Sequence, residues 1–360
     1  MLLRVPMYYK EFRCIADKCQ DSCCIGWEID IDEDTFDYYK SVEGEFGTRL
    51  RTHMVSEDVN SFVLEKNGWC PFLNEKKLCD ICIHLGEDAL SEVCTEYPRY
   101  TLEYGNVKEK ALSLSCEEVG RIVFSSAEKI TFEETEIEEN LEEYDEEWEA
   151  ELEEFREHLE SHRNQAIAIL QDRTKSLRDR VEEYLLFCGK VQGIFIENVD
   201  NTAKDSAGKR KQFFKDRMMA YEELEVLDSE WTTQKEKLYA FFEKHNYAEY
   251  YQKFCEVMEE RIYEYEHLLV YFTYRYFMKA WYDGNLFAKA QFAVVSYLMI
   301  RDMDVVRFCE NEEKFSLADR IDTVRIYSKE VEHSEENLEL LEEAFSFDEV
   351  FRLEQLLQQI

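Results

Sequence analysis

The chain has 360 residues, 80 of them acidic and 43 basic, so its formal net charge is −37. The resulting field repels phosphate and argues against nucleic acid or a membrane surface as a partner. Because 45% of the residues are hydrophobic and 14% aromatic, the chain is too apolar for a disordered acidic protein, and its length predicts two domains.

The N-terminal segment, MLLRVPMYYKEF, lacks the basic start and continuous apolar run of a secretory signal. Polar residues interrupt the longest apolar stretches, such as 292–300, which fall short of the roughly 20 residues that cross a bilayer. We therefore expect a cytoplasmic protein without a membrane span.

Strand signals occur only in the first third of the chain. Residues 27–32 alternate apolar and acidic side chains, which predicts a strand, and Asp34 is expected to cap a short helix after it. In RYTLEYGNVKEKALSLSC, alternating runs flank residues 105–106, which predicts a hairpin with Tyr104 facing Val107. The same register carries Cys116 to the neighbourhood of Cys94.

The remaining two thirds have helical periodicity. Apolar residues recur at steps of three and four over 137–159, and 133–160 holds sixteen acidic residues against one basic residue. A solvated helix surface or a surface that steers a lysine-bearing partner accounts for this run. Further helices are expected over 166–195, 213–243, 248–282, 286–300 and around 353–360, with a loop over 198–211.

Cysteine and proline residues are concentrated in the first third of the chain. Nine of the twelve cysteines lie in the first 116 residues, and the three prolines lie in the first 98. We therefore predict a mainly α protein, with a cysteine-rich metal- or cluster-binding domain over 1–125 that contains a short β-hairpin. An acidic, all-helical domain follows over 126–360.

Three interpretations compete for the clustered thiols: a disulfide framework, unconnected buried cysteines, and metal ligation. Disulfides suit small secreted domains, and unconnected cysteines would be spread along the whole chain, so metal ligation is favoured. Zinc usually takes paired Cys-x2-Cys segments or histidine partners, and only Cys79 and Cys82 have that spacing. Irregularly spaced thiols favour a [4Fe-4S] cluster, with zinc as the alternative.

Three segments resemble the flagellin lysine N-methylase family: YYKEFRCIADKCQDSCCIGWEIDID, WCPFLNEKKLCDICIHLGEDALSEVCTEYPRY and LSLSCEE. The later segment YFTYRYFMKAWYDGNLFAKAQFAVVSYLMIRD is similar to the C-terminal helical part of that family. The resemblance implies transfer of a methyl group from S-adenosylmethionine to lysine side chains of flagellin, with a [4Fe-4S] cluster held by the family's cysteines. The matching positions are Cys14, Cys19, Cys23, Cys24, Cys70, Cys79, Cys94 and Cys116, whereas Cys82 matches no family position.

The methyl-donor site has no sequence signature, because no Gly-x-Gly turn of a nucleotide-binding fold occurs in the chain. Candidate catalytic residues are Tyr97 and Arg99, beside Cys94, with a plain turn and an exposed arginine as the alternative. Arg275 and Lys279 are candidates for binding the donor or the substrate backbone; the alternative is that they form an internal ladder of ion pairs with Asp283. A noncatalytic zinc- or iron-binding protein with an acidic docking domain is the alternative function.

Overall fold

The computed structural model describes residues 1–57, 59–138, 146–195 and 207–360. The fold is mainly helical, as predicted, with one small mixed sheet and a short hairpin near the N-terminus. In chain order the strands are β1 (Leu2–Pro6), β2 (Met54–Ser56), β3 (Asn60–Phe62), β4 (Arg99–Tyr104), β5 (Val107–Leu112) and β6 (Phe132–Glu136).

Five short helices belong to the cysteine-rich part, and two 3-10 turns at Met7–Glu11 and Ala16–Lys18 precede them. These helices are α1 (Glu33–Ser41), α2 (Gly44–Thr52), α3 (Asp80–Leu85), α4 (Glu92–Glu96) and α5 (Glu117–Phe124). The later helices are α6 (Glu146–Leu170), α7 (Leu177–Val191), α8 (Ala207–Glu222), α9 (Ser229–Lys244), α10 (Tyr247–Met258), α11 (Tyr263–Tyr276), α12 (Ala280–Asp283), α13 (Leu286–Glu310), α14 (Leu317–Glu332), α15 (Glu335–Phe347) and α16 (Leu353–Leu356).

The predicted hairpin is confirmed. Strands β4 and β5 pair in antiparallel register with Tyr104 opposite Val107, around Gly105 at a φ of 52°. Strand β1 pairs in parallel with β5 and in antiparallel with β6, which gives the order β4-β5-β1-β6. Because β6 lies beyond residue 125, the expectation that strands are confined to the first third was wrong.

Other local predictions also need correction. Residues 27–32 form no regular strand; they contribute only an isolated bridge from Asp30 to Ser61. The cap of α1 is Asp32, which accepts from the backbone N–H of Thr35, rather than Asp34. The expected helix over 166–195 is interrupted between α6 and α7, where the Ser176 side chain caps the new helix.

The long-helix predictions hold only in part. The expected helices over 213–243 and 248–282 are each broken into shorter helices, whereas α13 continues ten residues past its expected end at residue 300. Part of the glutamate-rich helix and most of the predicted loop over 198–211 lie outside the described residues, although α8 begins at 207, inside the expected loop. Every helix in the described ranges is too short or too polar to cross a membrane.

Two hydrophobic cores form. A small core packs α1, α2 and α3 around Phe36, Tyr39, Phe62 and Phe72, and several cysteines lie against it. A large core joins the sheet and α5 to the helical bundle, in which α13 is buried along almost its whole length. The cysteine segments therefore lie between a small scaffold and the helical bundle, and this border contains the candidate site.

Candidate functional site

Cys24 is the centre of the first group of thiols. The Cys23 and Cys70 thiols hydrogen-bond to its sulfur, and these bonds lower the pKa of Cys24 well below its usual value. The backbone N–H of Cys70 also donates to the Cys24 carbonyl oxygen at 2.8 Å. The chain thus brings together two segments separated by more than forty residues and stabilises one thiolate between two thiols.

Cys79 and Cys94 complete this group. Both interact electrostatically with Cys24, and all three pack against the small core together with buried Cys70. Burial raises the pKa of Cys79, and it raises the pKa of Cys94 to about 12. Such thiols stay protonated near neutral pH unless a cation stabilises the thiolate.

A second group contains Cys14, Cys19 and Cys116, which interact electrostatically with one another. Burial raises the pKa of Cys19 to about 12 and that of Cys116 to about 11. The strand ladder ends at Arg99 and Leu112, so the register that predicts Cys116 near Cys94 does not continue to these residues. Cys116 instead packs against the large core.

The first group fits a soft metal or cluster by the chemistry of its donors. Four segments supply Cys24, Cys70, Cys79 and Cys94, and such all-sulfur surroundings suit iron–sulfur clusters and zinc. All twelve cysteines are free thiols. Among the described residues, however, no three potential ligands are already arranged around a single metal-ion position.

Asp21 anchors the segment between Cys19 and Cys24 to the helical bundle. Its carboxylate lies 2.7 Å from Arg325 and 2.9 Å from Lys329, both on α14, and Lys329 also contacts Asp228 at 2.8 Å. Gly26 passes close to this network, since a Cβ atom at that position would lie 2.9 Å from an Asp228 carboxylate oxygen. The ion pairs therefore determine where the thiol segment lies on α14.

A buried charged cluster lies at the same border. The Arg275 guanidinium forms a 2.9 Å ion pair with Glu332, whose side chain is fully buried, and donates to the Tyr271 hydroxyl at 2.6 Å. Tyr271 and Tyr276 also donate to Glu332, at 3.0 and 2.8 Å. The Tyr100 ring lies 4.1 Å from the guanidinium. These contacts compensate the desolvation of both charges.

A chain of hydroxyls extends from this cluster towards the thiols. Arg275 donates to Ser113 Oγ at 3.2 Å, Ser113 Oγ lies 2.8 Å from Ser115 Oγ, and Ser115 Oγ lies 3.1 Å from the Tyr97 hydroxyl. His333 Nε2 lies 2.8 Å from Ser115 Oγ. Two candidates from distant parts of the sequence, Tyr97 and Arg275, are thereby linked.

Aromatic packing places this chain beside the cysteine loop. The Trp27 ring centroid lies 5.8 Å from that of Tyr97 and 5.1 Å from that of His333, and its indole N–H donates to the Cys23 carbonyl oxygen. Burial, reinforced by Arg275 and Lys329, lowers the pKa of His333 to about 3. His333 is therefore neutral, and its Nδ1 atom is buried without a hydrogen-bond partner.

The other candidates occupy different surroundings. Lys279 lies 5.2 Å from the Tyr276 ring, and burial together with Arg275 lowers its pKa. The proposed ladder with Arg275 does not form, because Asp283 instead pairs with Lys289 at 2.6 Å. Arg99 lies 5.2 Å from the Phe12 ring.

Arg99 also lines a cavity of about 390 Å³, separate from the hydroxyl chain. Four acidic side chains, Asp30, Asp32, Glu92 and Glu96, share its wall. Tyr100 lines the cavity as well and so connects it to Arg275.

Sequence reasoning missed Ser113, Ser115, Glu332 and His333. The two serines lie in the turn SLSC that follows β5, where their hydroxyl oxygens are 2.8 Å apart. Glu332 and His333 end α14 without any recognisable motif. Only the tertiary packing of α14 against α5 and α11 brings them to Arg275.

Comparison with known proteins identifies the family of this chain. Residues 163–359, more than half of the chain, match the family model described as the FliB lysine N-methylase C-terminal domain. The chain therefore belongs to this family of lysine N-methylases. The match includes α11 and α14, and thus Arg275, Lys279, Glu332 and His333.

Individual relatives support the same family membership. The lysine-N-methylase of Salmonella typhimurium is 31% identical over 145 residues, which cover 37% of this chain and 35% of that protein. The flagellar biosynthetic protein FliU of Salmonella muenchen is 34% identical over 127 residues, covering 32% of this chain and 72% of the relative. The chain thus matches about a third of the length of the Salmonella typhimurium enzyme. No solved structure matches the chain.

Proposed function

We propose that the protein transfers methyl groups from S-adenosylmethionine to lysine side chains of a flagellin-type protein. Family membership supports lysine methylation, and the names of the relatives support a flagellar substrate. The observation that carries the proposal is the hydroxyl chain between Tyr97 and Arg275, because it joins the cysteine-rich part to the family-matched helices beside Trp27 and the thiols.

We propose Cys24, Cys70, Cys79 and Cys94 as the ligands of a [4Fe-4S] cluster, with zinc as the alternative. A [4Fe-4S] cluster held by all four thiolates would have no open iron position, so the methyl donor would be bound by polar side chains of this chain, for which Arg275 and Lys279 are the candidates. Trp27 supports this placement, since it packs between the Cys23 backbone and the candidate polar residues. Cys14, Cys19, Cys23 and Cys116 remain candidates for further ligands.

Methyl transfer needs a neutral lysine amine, because an ammonium group has no lone pair to attack the methyl carbon. The environment of Lys279 indicates how this chain favours neutral amines: burial and the Arg275 charge both lower the pKa of that amine. The same burial and the same positive charge would lower the pKa of a substrate lysine that enters these surroundings and so raise its neutral fraction. The acidic cavity beside Tyr100 would attract a positively charged lysine side chain to this face of the protein.

Tyr97 and His333 then hold the amine in position. Burial raises the pKa of Tyr97 well above its usual value, so its hydroxyl stays protonated and acts by orientation rather than as a base. Ser115 fixes both side chains from one oxygen atom. Such fixed groups lower the barrier by removing orientational freedom before the C–S bond breaks and the N–C bond forms.

Methylation is tested with the anaerobically purified full chain, methyl-labelled S-adenosylmethionine and unmethylated flagellin. We expect label on flagellin lysines, and a strong loss of label in a Cys24→Ser variant but not in Cys255→Ser, a matched change at an exposed cysteine of the helical bundle. Absence of lysine label from protein with full metal occupancy would instead favour a noncatalytic metal protein.

A further inference from the structure

Arg301, on α13, is an unusual buried arginine. Its residue surface is only 4% exposed, yet its Nε and Nη1 atoms have no hydrogen-bond partner. Its Nη2 atom donates to the Gln359 carbonyl oxygen at 3.2 Å, a neutral acceptor. A desolvated guanidinium with two unpaired nitrogen atoms is costly, so such groups normally hold a counter-ion.

The nearest carboxylate does not serve Arg301. Asp302 lies 3.7 Å from Arg301 Nε, but its two oxygens are taken by the Arg217 guanidinium and by the Tyr247 hydroxyl, the latter at 2.6 Å. Other buried arginines of the described residues have close anionic partners; Arg163, for example, lies 2.7 Å from Glu109. Arg301 therefore has no carboxylate of its own.

A small cavity lies beside this guanidinium. Its volume is about 20 Å³, enough for one water-sized particle, and three arginines line it: Arg210, Arg217 and Arg301. Asp302, the one acidic residue in its wall, is paired with Arg217, so no carboxylate of the lining lies within hydrogen-bond distance of the Arg301 guanidinium. Phe213 and Phe242 supply the apolar part of the lining.

We propose that this cavity binds a single monatomic anion, chloride in the cell, against the Arg301 guanidinium. Water would fill the volume without neutralising the charge, whereas a carboxylate or phosphate group is too large for the cavity. The anion joins α8 to α13 and to Gln359, which already accepts hydrogen bonds from Arg217 at 2.7 Å and from Arg301. Its role is to stabilise the helical bundle, independently of the proposed methylation.

The test is thermal unfolding of the full chain at constant ionic strength, with chloride or bromide replaced stepwise by gluconate, which is too large for the cavity. We expect a saturable rise of Tm with either halide, as for a ligand that binds only the folded state. Equal Tm values in chloride and gluconate would overturn the proposal.

Two variants and a direct measurement complete the test. Arg301→Gln should weaken the apparent halide affinity at least tenfold, while Arg178→Gln, at an exposed position paired with Glu182, should leave it unchanged. If Arg301→Gln does not fold, the halide dependence of Tm and the bromide soak of the wild-type protein still decide the proposal. Crystals soaked in bromide should show an anomalous peak against Arg301; a neutral water there would contradict the site.

Discussion

The Tyr97 hydroxyl and the Arg275 guanidinium are joined through the side chains of Ser115 and Ser113, with successive distances of 3.1, 2.8 and 3.2 Å. Tyr97 follows α4 in the cysteine-rich part, and Arg275 lies on α11 in the family-matched helices. These contacts connect the cysteine-rich part to the family-matched helices through side chains alone.

The first prediction concerns this chain. Tyr97→Phe removes one hydroxyl, and loss of one orienting hydrogen bond should lower kcat for methylation by about tenfold, with a smaller change in KM. Steady-state kinetics and metal content are measured on the same preparation. Reduced activity that merely follows reduced metal content would contradict an orienting role.

The second prediction concerns His333. His333→Ala should lower kcat because Ser115 loses its imidazole partner, and His333→Gln should restore part of the rate because an amide can hydrogen-bond to the serine. Since the pKa of His333 is lowered to about 3, the pH profile of the wild type between pH 6 and 8 should show no step from His333 and should match that of His333→Gln in shape. A wild-type profile that loses a step near neutral pH in His333→Gln would refute the neutral role.

The third prediction concerns Gly26, whose φ is +84°. Gly26→Ala should lower the free energy of unfolding by about 1 to 2 kcal/mol because alanine disfavours the left-handed backbone. A further loss is expected because the new Cβ atom would contact Asp228 and Lys329. Gly44→Ala is the matched control, since Gly44 has a φ of +81° and a Cβ atom added there would meet nothing within 4 Å. Urea unfolding should show Gly26→Ala to be less stable than Gly44→Ala. Equal losses of unfolding free energy in the two variants would contradict a steric contact at Gly26.

The fourth prediction concerns Glu330, which accepts backbone hydrogen bonds from Leu227 and Asp228. Burial raises its pKa from 4.5 to about 7, although these N–H groups oppose the shift. The folded state therefore binds the Glu330 proton more tightly than the unfolded state does. The resulting stabilisation of the folded state is complete below pH 4.5 and is lost as the pH rises through 7.

Glu330→Gln removes this titration. The free energy of unfolding of the wild type should fall by about 3 kcal/mol more than that of Glu330→Gln between pH 4.5 and pH 8. Urea unfolding at several pH values measures the difference. Parallel pH dependence of the two proteins would show that Glu330 titrates normally.

The sequence could predict those features that local patterns determine. Gly105 and Asn106 specify the hairpin, and the density of thiols predicts a set of eight candidate ligands without indicating that Cys24, Cys70, Cys79 and Cys94 form one group. The register could not be extended to Cys116, because short helices replace the strands beyond Arg99 and Leu112. Periodicity alone also could not locate the helix breaks, since it continues across the turn before α7.

The polar part of the site depended on tertiary contacts. Arg275 stood out as a charge on an apolar helix, and the structure confirms that it is paired, with Glu332. Neither Glu332 nor His333 has a distinguishing sequence pattern, because their role arises only where α14 meets α11 and the serines after β5. Arg99 was chosen for its proximity to Cys94 in sequence, but its side chain lies against Phe12 and the acidic cavity.

Elemental analysis with absorption spectroscopy of anaerobically purified protein tests most directly whether Cys24, Cys70, Cys79 and Cys94 hold an inorganic centre beside Tyr97. We predict equal amounts of iron and acid-labile sulfide and a brown colour with absorption near about 400 nm. Both should be lost in Cys24→Ser and kept in Cys255→Ser. Colourless wild-type protein without bound metal would contradict the account. Stoichiometric zinc in place of iron would show that the thiols bind the alternative metal.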